Sequence, residues 1–199
     1  MAIMRCAMSE EQIALFNTSG QRLYLNASER ETLEQACHNV DDPLASTFGL
    51  MLLNTGCRLS EAVALTAASI DLQTDEVVFR TLKRRKLHFR SVPLSPVMMT
   101  QLELVHTLSQ RRHEQEKLWP YSRTTAWRRI KMLMEKAGIE GPQASPKGFR
   151  HGFGIACIER DIPITIVQKW LGHSSLTTTA IYLQVVGPEE RSFASRLWS

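Results

Sequence analysis

Arg58, Lys147, Arg150, His173 and Tyr182 are the side chains of this chain best suited to act on a phosphate. Arginine forks match the non-bridging oxygens of a phosphate bidentately. A lysine or histidine beside them can move a proton, and a tyrosine oxygen can attack phosphorus. These residues stand in three compact segments: Thr55-Gly56-Cys57-Arg58-Leu59-Ser60-Glu61, Lys147-Gly148-Phe149-Arg150-His151 and Leu171-Gly172-His173. Tyr182 follows. Together they supply what phosphoryl transfer without a metal requires. Taken singly, each also has a structural explanation. Arg58 can pair with Glu61, His173 can cap a helix, and Tyr182 between Ile181 and Leu183 can be a half-buried core tyrosine. The set carries the reading.

The elements that must position this set can be read from caps and periodicity. Ser28 followed by Glu31 has the form of a capping box, with a helix running to about position 38. Asp41-Asp42-Pro43 opens a second helix, whose apolar residues Leu44, Phe48, Met51 and Leu52 recur at helical spacing and which Gly56 ends. A short helix over 60–65 follows. The period then changes. Segments 70–72, 76–82 and 88–94 read as three strands of an antiparallel sheet, with Thr74-Asp75 in the first turn and Lys83-Arg84-Arg85-Lys86 in the second. Ser95-Pro96 starts a helix to about position 112, and Ser122 caps another that ends at Gly138. Pro146 and Pro163 each open a further helix. A last short helix over 177–184 carries Tyr182, and Pro188 starts a tail helix. The fold class expected is α+β, mainly α, with a small three-stranded antiparallel sheet.

Composition fits this picture. The 199 residues are 43% hydrophobic, enough for one domain with a core. No apolar run is long enough to span a bilayer, and positions 1–10 lack the apolar core of a signal peptide, so a cytoplasmic location is expected and a membrane partner is not. Cys6, Cys37, Cys57 and Cys157 form no CxxC pair and have no histidine at metal-ligand spacing, so they are expected as packed, reduced thiols. Net charge is +4 but unevenly spread. Arg80, Lys83, Arg84, Arg85, Lys86 and Arg90 form one basic run. Arg123, Arg128, Arg129 and Lys131 form a second. Such clusters attract polyanions.

In order and spacing, the whole set resembles the tyrosine recombinases, or phage-type integrases. Their catalytic domain carries an arginine in a TGxRxSE segment, a lysine on a β-hairpin, an HxxRH segment, LGH and then the tyrosine. Here His173 stands 23 positions after Arg150 and Tyr182 nine positions after His173, and Val92-Pro93-Leu94 closes the basic hairpin. The resemblance implies a tyrosine recombinase-like catalytic domain over 28–187, an N-terminal extension over 1–27, and a tail helix over 188–199 exchanged between protomers, with Phe193, Leu197 and Trp198 on its apolar face. It implies a site-specific DNA recombinase without cofactor or metal. Tyr182 would attack a DNA phosphodiester, with Arg58, Arg150 and His173 stabilising the transition state. Lys83, with Lys86 as the alternative, would protonate the leaving 5′-oxygen. Arg80, Arg84, Arg85, Lys86, Arg90, Arg123, Arg128 and Arg129 would contact the DNA backbone. Double-stranded DNA, a homotetramer on paired sites and an accessory DNA-binding protein are the partners it implies, in bacterial or phage-encoded nucleoid surroundings.

Two departures from the pattern stand out. Lys147 occupies the place of the usual histidine three residues before the second arginine. A cation with donors still binds phosphate, and a lysine stands at this place in the related type IB topoisomerases. The same change is also consistent with a non-cleaving, DNA-binding regulator. In addition, about forty residues precede Pro43, where many family members carry a separate helical clamp domain, so the resemblance implies either action by the catalytic domain alone or a clamp supplied by a partner.

Overall fold

The computed structural model describes residues 14–83, 86–111, 114–184, 194, 195 and 197, with only the backbone described at 81–83, 86 and 87. The central element is α2 (Pro43–Thr55). Asp42 accepts hydrogen bonds from the Leu44 and Ala45 amides, and Pro43 takes the first turn, where a missing N–H costs nothing. Phe48, Gly49, Leu50, Met51, Leu52 and Leu53 are all buried, so the helix is enclosed on every side. It packs on α1 (Ala27–His38), α4 (Pro96–His106), α6 (Arg123–Lys136) and α7 (Pro146–Glu159). At Gly49 the neighbours come so close that an added Cβ would lie 2.6 Å from both Cys37 Sγ and Leu133 Cδ1. The polar groups inside this core satisfy one another: Trp119 Nε1 donates to Thr47 Oγ1 at 3.1 Å, and Thr47 also meets His106 Nε2 at 3.0 Å.

The sheet has the order β1 (Ile70–Asp71), β2 (Glu76–Lys83), β3 (Lys86–Pro93), all antiparallel. Val77 pairs with Val92 and Phe79 with Arg90, so one face is turned inward. Lys83 pairs with Lys86 on the last rung, whereas Arg84 and Arg85 lie outside the described residues.

Three expectations are corrected. The capping box of α1 is formed by Asn26 and Glu29, not Ser28 and Glu31. Arg22 holds the Glu29 carboxylate at 2.6 and 2.8 Å and so fixes that choice. The helix expected to reach position 112 breaks at Thr107, which adopts a left-handed conformation (φ 49°) between α4 and α5 (Leu108–Arg111). Glu103 accepts from the amide and hydroxyl of Ser109, in the first turn of the second piece. The tyrosine segment is α9 (Leu176–Ala180) followed by one 3-10 turn, Ile181–Leu183.

Positions 14–26 are not detached from the rest. Phe16 pairs with Arg22 in an isolated bridge, and Leu15 and Tyr24 enter a second apolar cluster with Phe153, Ile155, Val167, Leu171 and Tyr182. Cys37, Cys57 and Cys157 are buried and free, and burial pushes their thiols up to about 12, 12 and 11. Cys6 lies outside the described residues, as do Phe193 and Trp198 of the tail. Leu197 is 85% exposed.

Candidate active site

The first wall of the site is the end of α2. Gly56 terminates the helix in the left-handed region (φ 58°), where a Cβ would also meet the Phe153 ring at 2.6 Å. The chain then turns into α3 (Leu59–Val63) with Arg58 at its start. Glu61 reaches back to the Arg58 amide at 2.8 Å and to Arg58 Nη1 at 3.1 Å. The ion pair expected from spacing is therefore present, yet it leaves the Arg58 side chain 43% exposed. Its Nε and Nη2 make no hydrogen bond among the described residues, which leaves them available to an incoming anion.

The second wall is α7. Ser145 caps it by accepting from the Gly148 amide, and Pro146 occupies its first turn. One turn in, the Arg150 side chain is buried. Its Nη1 donates to the Gly56 carbonyl at 2.8 Å and its Nη2 to the Leu171 carbonyl at 2.6 Å. One guanidinium thus ties the Arg58 turn to the turn that carries His173. Burial, and next the Arg58 charge, lower the Arg150 pKa to about 10, so it remains a cation at neutral pH.

The third wall follows α8 (Ile164–Leu171), which Gly172 ends with φ 67°. His173 Nδ1 lies 2.9 Å from Thr179 Oγ1, while its Nε2 is buried with no hydrogen-bond partner. Burial and the nearby Arg150 charge lower its pKa to about 3, which keeps the imidazole neutral. The ring stacks on Tyr182, with centroids 6.2 Å apart at 20°. Tyr182 is fully buried, and its hydroxyl sits 3.2 Å from His151 Nδ1. Burial raises the phenol to about 12, against the pull of Arg150 and Arg58. His151 is lowered to about 4 by burial and then by Arg150 and Lys147. Gly154 makes room for the tyrosine ring, since a Cβ there would lie 2.6 Å from two ring atoms. Two guanidinium groups, a neutral imidazole with an unpartnered nitrogen, and a phenol thus share one electrostatic neighbourhood. A tetrahedral anion is the ligand such a set can hold. Beside it a cleft of about 390 Å³, lined by His88, Phe89, Lys169 and His173, opens to the surface.

The other expected residues fall differently. Lys147 is exposed in the first turn of α7 and makes no hydrogen bond or ion pair among the described residues, although its charge reaches His151. Arg80, Arg123 and Arg128 are exposed. Arg129 is partly engaged, 3.4 Å from Asp42 and over the Tyr121 ring. Arg90 departs from expectation. It is 9% exposed and forks onto both Glu61 oxygens at 3.0 and 2.7 Å, so its guanidinium is turned inward, and the residue helps to line the cleft beside His173. Sequence reasoning passed over His151, Thr179, Glu61 and Gly154 as members of the site. A signal for Arg90 was available: it shares strand parity with the buried Val92 and Leu94.

The sequence pattern of the phage integrase family matches residues 24–187. The tyrosine recombinase XerD of Shewanella oneidensis is 35% identical over 162 residues, covering 74% of this chain and 52% of the relative. The tyrosine recombinase XerA of Pyrococcus furiosus is 32% identical over 157 residues, with the same coverage of 74% and 52%. The chain therefore spans about half the length of the curated relatives it matches. Among solved structures, a XerA recombinase superimposes with a TM-score of 0.74 at 25% identity, covering 90% of this chain and 65% of that one. The catalytic domain of bacteriophage HP1 integrase superimposes with a TM-score of 0.63 at 21% identity, covering 88% of this chain and 95% of that one, a likeness of fold. With the matched pattern running through all three walls of the site, the chain belongs to the phage integrase family.

Proposed function

We propose that this chain acts as a site-specific DNA recombinase that breaks and rejoins strands through a 3′-phosphotyrosyl intermediate. The observation that carries the reading is the placing of Arg150. Its bonds to the Gly56 and Leu171 carbonyls draw the Arg58 and His173 turns to one point, beside the Tyr182 ring. The tyrosine recombinases among its relatives support it.

In the proposed reaction the Tyr182 oxygen bonds to phosphorus, and the bond from phosphorus to the 5′-oxygen breaks. The phenolic proton leaves to a neutral acceptor, and His151 Nδ1 is the nitrogen beside that hydroxyl. Arg58, Arg150 and His173 face the non-bridging oxygens, on which charge builds in the transition state. Lys83, or Lys86 on the same rung, gives a proton to the departing 5′-oxygen, which leaves as a free 5′-hydroxyl. Lys147 supplies a further cation at the entrance. No cofactor enters these steps. Reversal with a different 5′-hydroxyl rejoins the strand. Because Tyr182 is fully buried, attack requires the 176–184 segment to move outward when DNA binds. Double-stranded DNA is the partner, held by Arg80, Arg84, Arg85, Arg123 and Arg128, within a homotetramer on paired sites and with an accessory DNA-binding protein, in the nucleoid-containing cytoplasm. The catalytic domain occupies 28–187, and the tail over 188–199 links protomers.

The burial of Tyr182 and the lysine at position 147 favour one second reading, a family member that binds DNA without cleaving it. A nicked suicide duplex carrying the target site separates the two. The recombinase reading expects a protein–DNA adduct that survives denaturant and is abolished by Tyr182→Phe. Wild-type protein that shifts this duplex on a gel but forms no adduct would overturn it.

A further inference from the structure

Arg90 was expected on the DNA face, and its position in the structure suggests a different role. It lies on β3 with its guanidinium 4.6 Å over the Phe79 ring, on the inward face of the sheet. Nη1 and Nη2 grip the Glu61 carboxylate at 3.0 and 2.7 Å, and Nε donates to the Trp170 carbonyl at 2.7 Å. Gly172 is part of the fit, because a Cβ there would lie 3.1 Å from Arg90 Cδ. One side chain therefore links the start of α3, the sheet and the end of α8.

Both linked ends carry a member of the anion site. Glu61 Oε1, held by Arg90, is also the oxygen that Arg58 Nη1 contacts at 3.1 Å. Trp170 stands three residues before His173. A buried carboxylate with a single cationic partner binds that cation tightly and cancels its charge, whereas one already compensated can orient a second cation without neutralising it. We propose that Arg90 is a positioning residue. By compensating Glu61 it keeps the Arg58 guanidinium oriented yet available to an anion, and by holding the Trp170 carbonyl it sets the height of His173. The proposal rests on the recombinase reading only for the nature of that anion, a DNA phosphate.

The test uses the full chain with Arg90→Lys, Arg90→Gln and the double variant Glu61→Gln/Arg90→Gln, each checked for folding by its melting temperature. One readout is the single-turnover rate of adduct formation on the suicide duplex. The other is the affinity for inorganic phosphate, followed from the Arg58 Nε–H and His173 ring resonances. Lysine cannot reproduce a fork to two oxygens together with a third bond. Arg90→Lys is therefore expected to slow adduct formation by about a hundredfold, the scale of a small misplacement in a reacting site, with DNA affinity unchanged. Phosphate binding should weaken about tenfold, equivalent to one lost charge-assisted contact. Removing the Glu61 charge should restore part of the rate lost in Arg90→Gln, and no recovery would overturn the link through Glu61. If Arg90→Gln fails to fold, Arg90→Lys, which keeps the charge, decides. Wild-type rate and phosphate affinity in Arg90→Lys would overturn the positioning role and leave the recombinase reading standing. Wild-type protein that forms no adduct, yet binds phosphate more tightly than Arg90→Lys, would do the reverse. Wild-type protein that neither forms the adduct nor binds phosphate would overturn both.

Discussion

Thr179 Oγ1 lies 2.9 Å from His173 Nδ1, inside the structure, and this contact determines which nitrogen of the ring is left for the site. With Nδ1 engaged, the unpartnered Nε2 is the nitrogen that can meet a ligand. Thr179→Val keeps the shape of the side chain and removes the partner. The expected result is a ten- to hundredfold slower adduct formation, from a less constrained ring, with unchanged DNA affinity on a gel. Stability should fall by about 1–3 kcal/mol, the cost of leaving a buried polar atom unmet, measured by denaturant unfolding.

Gly154 and Tyr182 make a second pair whose contact can be tested. Gly154→Ala places a methyl carbon 2.6 Å from the ring, where the surrounding apolar cluster leaves it little room to retreat. A loss of about 1–3 kcal/mol in unfolding free energy is expected from this overpacking. In a Tyr182→Ala background the same substitution should become neutral or stabilising by up to about 1 kcal/mol, because alanine is the better helix former.

Acidification should weaken the fold before most carboxylates titrate. His106, His151 and His173 have pKa values lowered to about 4, 4 and 3, each chiefly by burial. The unfolded chain protonates these rings near pH 6.5, whereas the folded chain does not until pH 4 or below. The unfolded state therefore binds more protons in between, and stability is lost as pH falls from about 6.5 toward 4. Melting temperatures across pH 7 to 5 should decline, with a shallower decline in His106→Gln.

On the proposed recombinase reading, Arg123 and Arg128, exposed on α6 beside the half-exposed Trp127, are expected to contact the DNA backbone. Arg128→Ala should weaken binding to specific and unrelated duplexes alike. It should also reduce the slope of log affinity against log salt by about 1. A loss confined to one sequence would instead mark Arg128 as a reader of bases.

Much of the fold was legible because its signals are local. Asp42-Pro43, Ser122 and Pro146 start helices where caps and fixed proline φ angles say they should, and Gly56 and Gly172 end them in left-handed turns. The strand alternation gave the three-stranded sheet. What escaped depends on tertiary partners. Both Asn26/Glu29 and Ser28/Glu31 have capping-box spacing, and only the Arg22 contact selects the first. Thr107 turns left-handed in the middle of an apparently continuous helix because Glu103 is taken by Ser109. In the basic run, Arg90 looked like its neighbours, and only its place on the inward face separates it from Arg80. The arginine, histidine and tyrosine segments were identifiable by type and order. That Arg150, His151, His173 and Tyr182 are buried together was not, because depth is a property of the packed chain.

Arg150 recognises backbone oxygens, and this has a bearing on how the chain can vary over evolutionary time. A guanidinium bound to the carbonyls at positions 56 and 171 is indifferent to the side chains there, so its hold survives any substitution that preserves the path of the two turns. At position 56 the positive φ and the Phe153 ring leave glycine alone as a comfortable occupant, whereas at position 171 an apolar side chain of similar bulk should serve as well as leucine. Divergence between homologous proteins would then be silent at the second turn and costly at the first, although both are held by the same arginine.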